Sequence, residues 1–291
     1  MFSSEVAWCQ ILGTRKNQQD YVAAVRWPNG FRLLLLADGM GGHAAGDLAS
    51  KLVVETFKEY FCQSDEPEMR KRLIDSLDTA NVELYNQVKE NPELSGMGTT
   101  LIALVFDGLS VQWLSVGDSP LWLIRGNKID RINENHSMVE LLKQKVASGE
   151  ITQSEADQSK SRSQLLEAIM GENIEMLDAP ETAVELEVGD LVVLASDGVE
   201  SLTNEEILHA SQPLSRNIEE VAMCILDAVV MQKRESQDNA SLAILKVQKA
   251  DLSEPDSVAP EGRDIVMEPK TKNSDMADGH NDAVSTEEPS V

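Results

Sequence analysis

The sequence predicts an α+β fold, antiparallel sheet packed against helices. Short apolar runs bounded by Gly, Asp and Asn read as strands. Several come as consecutive pairs around turn dipeptides, Asp107-Gly108 and Gly126-Asn127. Segments with helical periodicity stand in runs of their own, which favours hairpins and packed helices over an alternating βαβ array. No fixed-period repeat is present.

In chain order, the segment around Cys9 is apolar and strand-like. FRLLLLAD (31–38) is a buried strand ending at Asp38-Gly39. AAGDLASKLVVETFKEYF (44–61) is a helix with Leu48, Leu52, Phe57 and Phe61 at helical spacing. A second helix covers 67–90 and stops at Asn91-Pro92. Residues 98–107 and 110–119 form a hairpin, followed by the strand pair LWLIR and KIDRI. A polar, helix-favouring stretch occupies 134–170, with His136 near a helix start. LEVGDLVVLASDG (186–198) turns at Gly189-Asp190 and enters a buried strand. Helices over 204–210 and 217–231 precede a last strand, ASLAILKV (240–247). Trp8, Trp27, Trp113 and Trp122 are expected in the core.

The 291 residues carry 50 acidic against 25 basic side chains, net −25, and are 42% hydrophobic. Such a chain buries a core, but its charge excludes a general nucleic-acid binder and adsorption to anionic membranes. No apolar run approaches the about 20 residues of a membrane span. The N-terminus shows no secretory pattern, and the three scattered cysteines suit a reducing, cytoplasmic compartment without disulfides. No zinc-ligand spacing occurs among the Cys and His residues. Residues 249–291, net −7 and free of aromatics, read as a disordered acidic tail. The body, 1–248, keeps −18.

Chemistry points to the aspartates. LLLLADGMGG and VVLASDGVE end strands alike, at Asp38 and Asp197, and Asp238 sits just before the final strand. A glycine after each of the first two lets the backbone turn sharply and can leave a carbonyl exposed. Carboxylates converging at strand ends repel strongly, and a hard divalent cation, Mg²⁺ or Mn²⁺, resolves that repulsion. Two decoys fail. Gly39 to Ala44 fits a dinucleotide fingerprint, yet the acid expected about 20 residues on is missing, because Glu59 lies inside a helix. Cys9 to Arg15 has the spacing of a cysteine phosphatase, but Cys9 lies in an apolar strand and reads as core.

Six ordered segments resemble the bacterial metal-dependent protein phosphatases of the type-2C Ser/Thr family. They are GTRKNQQDYV (13–22), LLLLADGMGGHAAGDLAS (33–50), GMGTTLIALVF (96–106), SVGDSPLWLIR (115–125), LEVGDLVVLASDGVESLTNEEI (186–207) and QDNASLAILKV (237–247). The resemblance implies a four-layer α-β-β-α sandwich of two antiparallel sheets, with 134–170 as a flap beside the site. It implies hydrolysis of phosphoserine and phosphothreonine on proteins by metal-activated water, opposing a Ser/Thr kinase. It implies two, or with a third weaker site three, Mg²⁺ or Mn²⁺ ions. Asp38 resembles the bridging carboxylate, the Gly39 carbonyl a ligand of the second metal, and Asp197 and Asp238 further ligands of the first. Asp20 resembles the acid that holds the second metal, often through water, and Asp118 a ligand of the third. Arg15 resembles the arginine that grips the substrate phosphate. His43 stands as a general acid for the leaving alkoxide or as a structural histidine. Gln19 departs from the glutamate of many members, which leaves a neutral amide beside the second metal. A monomer is expected. The rival from another class is a binding module that keeps the fold without turnover; degenerate members lose metal aspartates, and here Asp38, Asp118, Asp197 and Asp238 are all present.

Overall fold

The computed structural model describes residues 2–41, 45–159, 165–212, 216–249 and 270–271. The chain opens with strands β1 (Phe2–Ile11), β2 (Asp20–Arg26) and β3 (Arg32–Met40) and helices α1 (Ala45–Gln63) and α2 (Met69–Glu90). The short β4 (Gly98–Thr99) leads into β5 (Leu101–Phe106), β6 (Ser110–Val116), β7 (Leu121–Arg125) and β8 (Lys128–Arg131). Next come α3 (Met138–Ala147) and α4 (Gln153–Asp157). Then come β9 (Val184–Glu185), β10 (Leu191–Ala195), α5 (Asn204–Ala210), α6 (Ile218–Met231), β11 (Ala240–Lys249) and β12 (Lys270–Thr271).

One sheet runs β12-β1-β11-β10-β7-β8, the other β2-β3-β5-β6-β9 with β4 beside the end of β3. Every pairing is antiparallel except β12 on β1. Both expected hairpins form, β5–β6 and β7–β8. At the first, the Asp107 carboxylate accepts from the backbone of Leu109 and Ser110, which closes the turn.

Side-chain alternation splits the core into three slabs and so defines four layers. Leu33, Leu35 and Ala37 of β3 pack with Phe57, Phe61 and Leu77 of the two long helices. Leu34 and Leu36, on the opposite face, meet Val192, Leu194 and Leu245 of the other sheet. Val193 and Ile244 then turn outward onto Val221, Ile225 and Val229 of α6. A central strand buried on both faces needs apolar residues at every position, which is why LLLL and LVVLA show no polar alternation.

Two expectations need correction. Leu48 is 40% exposed, and the buried face of α1 is Ala49, Val53, Phe57 and Phe61. At about 100° per residue, Leu48 lies half a turn from Phe57, so its hydrophobicity does not place it inside. The backbone after Asp38 does not turn sharply: β3 continues through Gly39 to Met40 and pairs there with β4. Trp8, Trp113 and Trp122 are buried and Trp27 packs at the core edge, as expected. Cys9 is a buried core residue, and no disulfide joins Cys9, Cys62 and Cys224. Among the described residues no helix is long and apolar enough to cross a membrane. The acidic tail falls outside the described residues apart from Lys249 in β11 and the two residues of β12.

Candidate active site

The two sheets bring Asp38, Asp197 and Asp238 to one end of the sandwich. Asp38 comes from β3 of one sheet. Asp197 follows β10 and Asp238 precedes β11, both in the other sheet. Asp118 lies on the link from β6 to β7, where the chain crosses between sheets. Arg15, Gln19, Asp38, Gly39, Met40, Thr100, Asp118, Leu165, Asp197, Asp238 and Asn239 line one open cleft of about 260 Å³.

Hydrogen bonds fix this frame. Asp38 N–H donates to Thr100 Oγ1 at 3.0 Å, and its carbonyl accepts from Thr100 N–H at 2.9 Å and Thr99 Oγ1 at 2.8 Å. Thr100 Oγ1 also shares a 2.8 Å bond with Ser119 Oγ, next to Asp118. Asn239 ties three segments: its Nδ2 donates to Leu12 C=O at 2.8 Å, and its Oδ1 accepts from Gln19 N–H at 2.8 Å. The Arg15 loop is thereby held against the Asp238 loop, and Arg15 Nη2 reaches Asp238 Oδ2 at 2.5 Å. Neither Asn239 nor Thr100 was singled out from sequence; the polar residues adjoining Asp238 and Gly98 were the available signal.

The electrostatics are those of a site short of positive charge. Burial holds Asp38 well above the usual carboxylate range, and the charges of Asp20, Asp197, Asp238 and Asp118 push it further. Asp197 is raised by burial and by Asp238, although a hydrogen bond with Asp38 eases it. Asp118 is pushed up to about 6 by burial and by Asp197 and Glu200. Asp20 is pushed up to about 7, chiefly by burial. It pairs across the strands with Asp38 and accepts from Ser196 Oγ at 2.8 Å, while its neighbour Gln19 reaches the cleft lining.

Among the described residues no three His, Cys, Asp or Glu side chains stand at ready-made metal spacing. Asp238 instead pairs with Arg15, and Asp197 with Asp38. The donor set nonetheless fits hard divalent cations: four carboxylates share one cleft, and three of them are raised by their neighbours' charge. His43 lies outside the described residues.

A pH dependence follows for protein stripped of metal. A carboxylate raised in the folded state holds a proton there that the unfolded chain releases near its ordinary value of about 4. Stability is therefore full below about pH 4 for these groups and falls as pH rises through the folded values, about 6 for Asp118 and about 7 for Asp20. The melting temperature of EDTA-treated protein should drop from about pH 5 to about pH 8, and Mn²⁺ should restore it most at the upper end. A flat profile in both conditions would contradict the charge crowding.

The comparisons with known proteins agree with this geometry. The family model for protein phosphatase 2C matches residues 12–234. The serine/threonine protein phosphatase PstP of Mycobacterium tuberculosis is 37% identical over 201 residues, 68% of this chain and 37% of that protein. The serine/threonine phosphatase stp of Listeria monocytogenes is 32% identical over 192 residues, 63% of this chain and 74% of its own length. A crystal structure of the catalytic domain of PstP with two manganese ions superposes with a TM-score of 0.70 at 30% identity, covering 86% of this chain and all of that one. The two-sheet sandwich is thus shared with a phosphatase catalytic domain that holds two manganese ions. The chain belongs to the protein phosphatase 2C family. It spans 37% of the length of the mycobacterial relative.

Proposed function

We propose that this protein is a Mg²⁺- or Mn²⁺-dependent phosphatase acting on phosphoserine and phosphothreonine in proteins. The observation that carries it is the convergence of Asp38, Asp118, Asp197 and Asp238 on one cleft, with Arg15 at its rim. Asp38, Asp197, Asp238 and the Gly39 carbonyl would hold two cations, Asp20 would hold the second of them through water, and Asp118 would bind a third. Bound there, the cations supply Lewis-acid polarisation of the phosphoryl group and a water acidic enough to attack it.

The chain's own residues do the rest. Arg15 carries a lasting positive charge, raised by its hydrogen bond to Asp238, and its planar fork matches phosphoryl oxygens. Leu165 and Met40 form apolar wall around the charged floor and limit the water that reaches it. Attack by water breaks the bond from phosphorus to the serine or threonine oxygen, which leaves with a proton; His43 is the sequence's candidate to supply it. A non-catalytic binding module is disfavoured because no aspartate of the set is lost.

The substrates are phosphoproteins, with a Ser/Thr kinase as counterpart. The excess of acidic residues and cysteines that form no disulfide fit a cytoplasmic monomer. A phosphothreonine peptide should be hydrolysed with Mn²⁺ and spared with EDTA. Hydrolysis that persists in EDTA would overturn the mechanism.

A further inference from the structure

We propose that His136 is a positioning residue, which ties the flap to Asp118 and sets how well Asp118 can bind a cation; this rests on reading Asp118 as a metal ligand. His136 is 1% exposed and lies between β8 and α3, at the root of the flap. It grips Gly117, the residue before Asp118, at two points. Gly117 N–H donates to His136 Nδ1 at 3.3 Å, and His136 N–H donates to Gly117 C=O at 3.1 Å. On the flap side, Leu166 N–H donates to His136 C=O at 2.9 Å, beside Leu165 of the cleft lining. Ser137, the next residue, forms a bridge with Leu165.

Gly117 has little freedom of its own. Its φ is +101°, and a Cβ there would lie 2.6 Å from Thr100 Cγ2. Thr100 thus packs one side of the Asp118 loop and His136 holds it by hydrogen bonds. Arg131 Nη2 donates to the Asp118 carbonyl at 2.7 Å.

The ring's other nitrogen shows that burial alone does not explain the residue. Accepting at Nδ1 places the proton on Nε2. Nε2 is buried without a hydrogen-bond partner, and the nearest carboxylate, Glu134 Oε2, is 3.7 Å away. A buried N–H without an acceptor is destabilising, so a leucine would fill this space at less cost. What leucine cannot do is accept the Gly117 N–H.

The test compares His136→Asn, His136→Gln and His136→Leu. Asparagine puts an acceptor oxygen at the position of Nδ1, glutamine puts its polar atoms at the position of Nε2, and leucine has none. Mn²⁺ binding is counted by electron paramagnetic resonance of the free ion, and peptide hydrolysis is followed against Mn²⁺ concentration. The weakest class of bound Mn²⁺ should loosen about ten-fold in the Gln and Leu variants, while the tighter class is unchanged. His136→Asn should restore most of the loss. Asp118→Asn is the companion and should remove the same class. If Asp118→Asn removes it and His136→Leu binds like wild type, the positioning role is overturned. If the Asn variant is as weak as the Leu variant, the acceptor is not the cause and the inference fails. If Asp118→Asn leaves Mn²⁺ binding intact, the ligand reading itself falls. Should the Leu variant not fold, the contrast between Asn and Gln decides.

Discussion

Asp38→Asn should lower kcat/KM by about 10³-fold or more and at the same time make the metal-free protein more heat-stable. The two effects share one cause. Asp38 is half-buried beside Asp20, Asp197, Asp238 and Asp118, and its desolvation plus their charges hold its carboxyl well above its ordinary range. An amide of the same shape removes the charge that a cation needs and also the charge that the empty site cannot tolerate. Because Asp38 gains a proton on folding, its cost to stability grows as pH rises, whereas Asn does not titrate. The stability gain of the variant should therefore widen from about pH 5 to about pH 8, and Mn²⁺ should no longer raise its melting temperature as it does in the wild type. Steady-state kinetics and thermal denaturation in EDTA check both halves. Near-wild-type turnover would remove Asp38 from the site; a variant less stable at high pH would contradict the charge crowding.

Much of this site could be read from sequence because its strands are buried on both faces. Leu33 to Leu36 and Leu191 to Leu194 must be apolar at every position, so each strand stands out, and the aspartate that ends it stands out with it. Residues whose role lies in backbone contacts were less visible. β2 was not anticipated: it is an edge strand, with half-buried Tyr21, Val22, Ala23 and Ala24 facing two different slabs. Leu48 is exposed because its angle around α1, not its hydrophobicity, decides which face it joins. Asp20 stands opposite Asp38 across β2 and β3 and accepts from Ser196 Oγ, contacts between distant segments that leave no pattern in the sequence. Asn239 gave no periodic signal at all; it works through Leu12 and Gln19, over 200 residues away along the chain.

Gly39 shows the same limit, and its substitution carries a large expected effect on folding. The sequence suggested a glycine that lets the chain turn. In the structure the chain does not turn there; the glycine is needed because another backbone occupies the space. A Cβ on Gly39 would overlap the Gly46 carbonyl at the start of α1 and lie 2.6 Å from the Gln19 carbonyl. Gly39 N–H donates to that same Gln19 carbonyl at 3.0 Å, and Ser50 Oγ donates to it at 2.6 Å. None of these partners is a flexible side chain that could swing away. Gly39→Ala must therefore push α1 from β3 or break the strand end, at a cost of about 3 kcal/mol or more. Gly30→Ala is the control: it has open space around it and φ of +87°, so only the left-handed backbone is penalised, by about 1–2 kcal/mol. Urea denaturation of the metal-free proteins separates the two. A Gly39→Ala variant no less stable than Gly30→Ala would mean that strand and helix do not approach this closely, and the floor of the cleft would need to be redrawn.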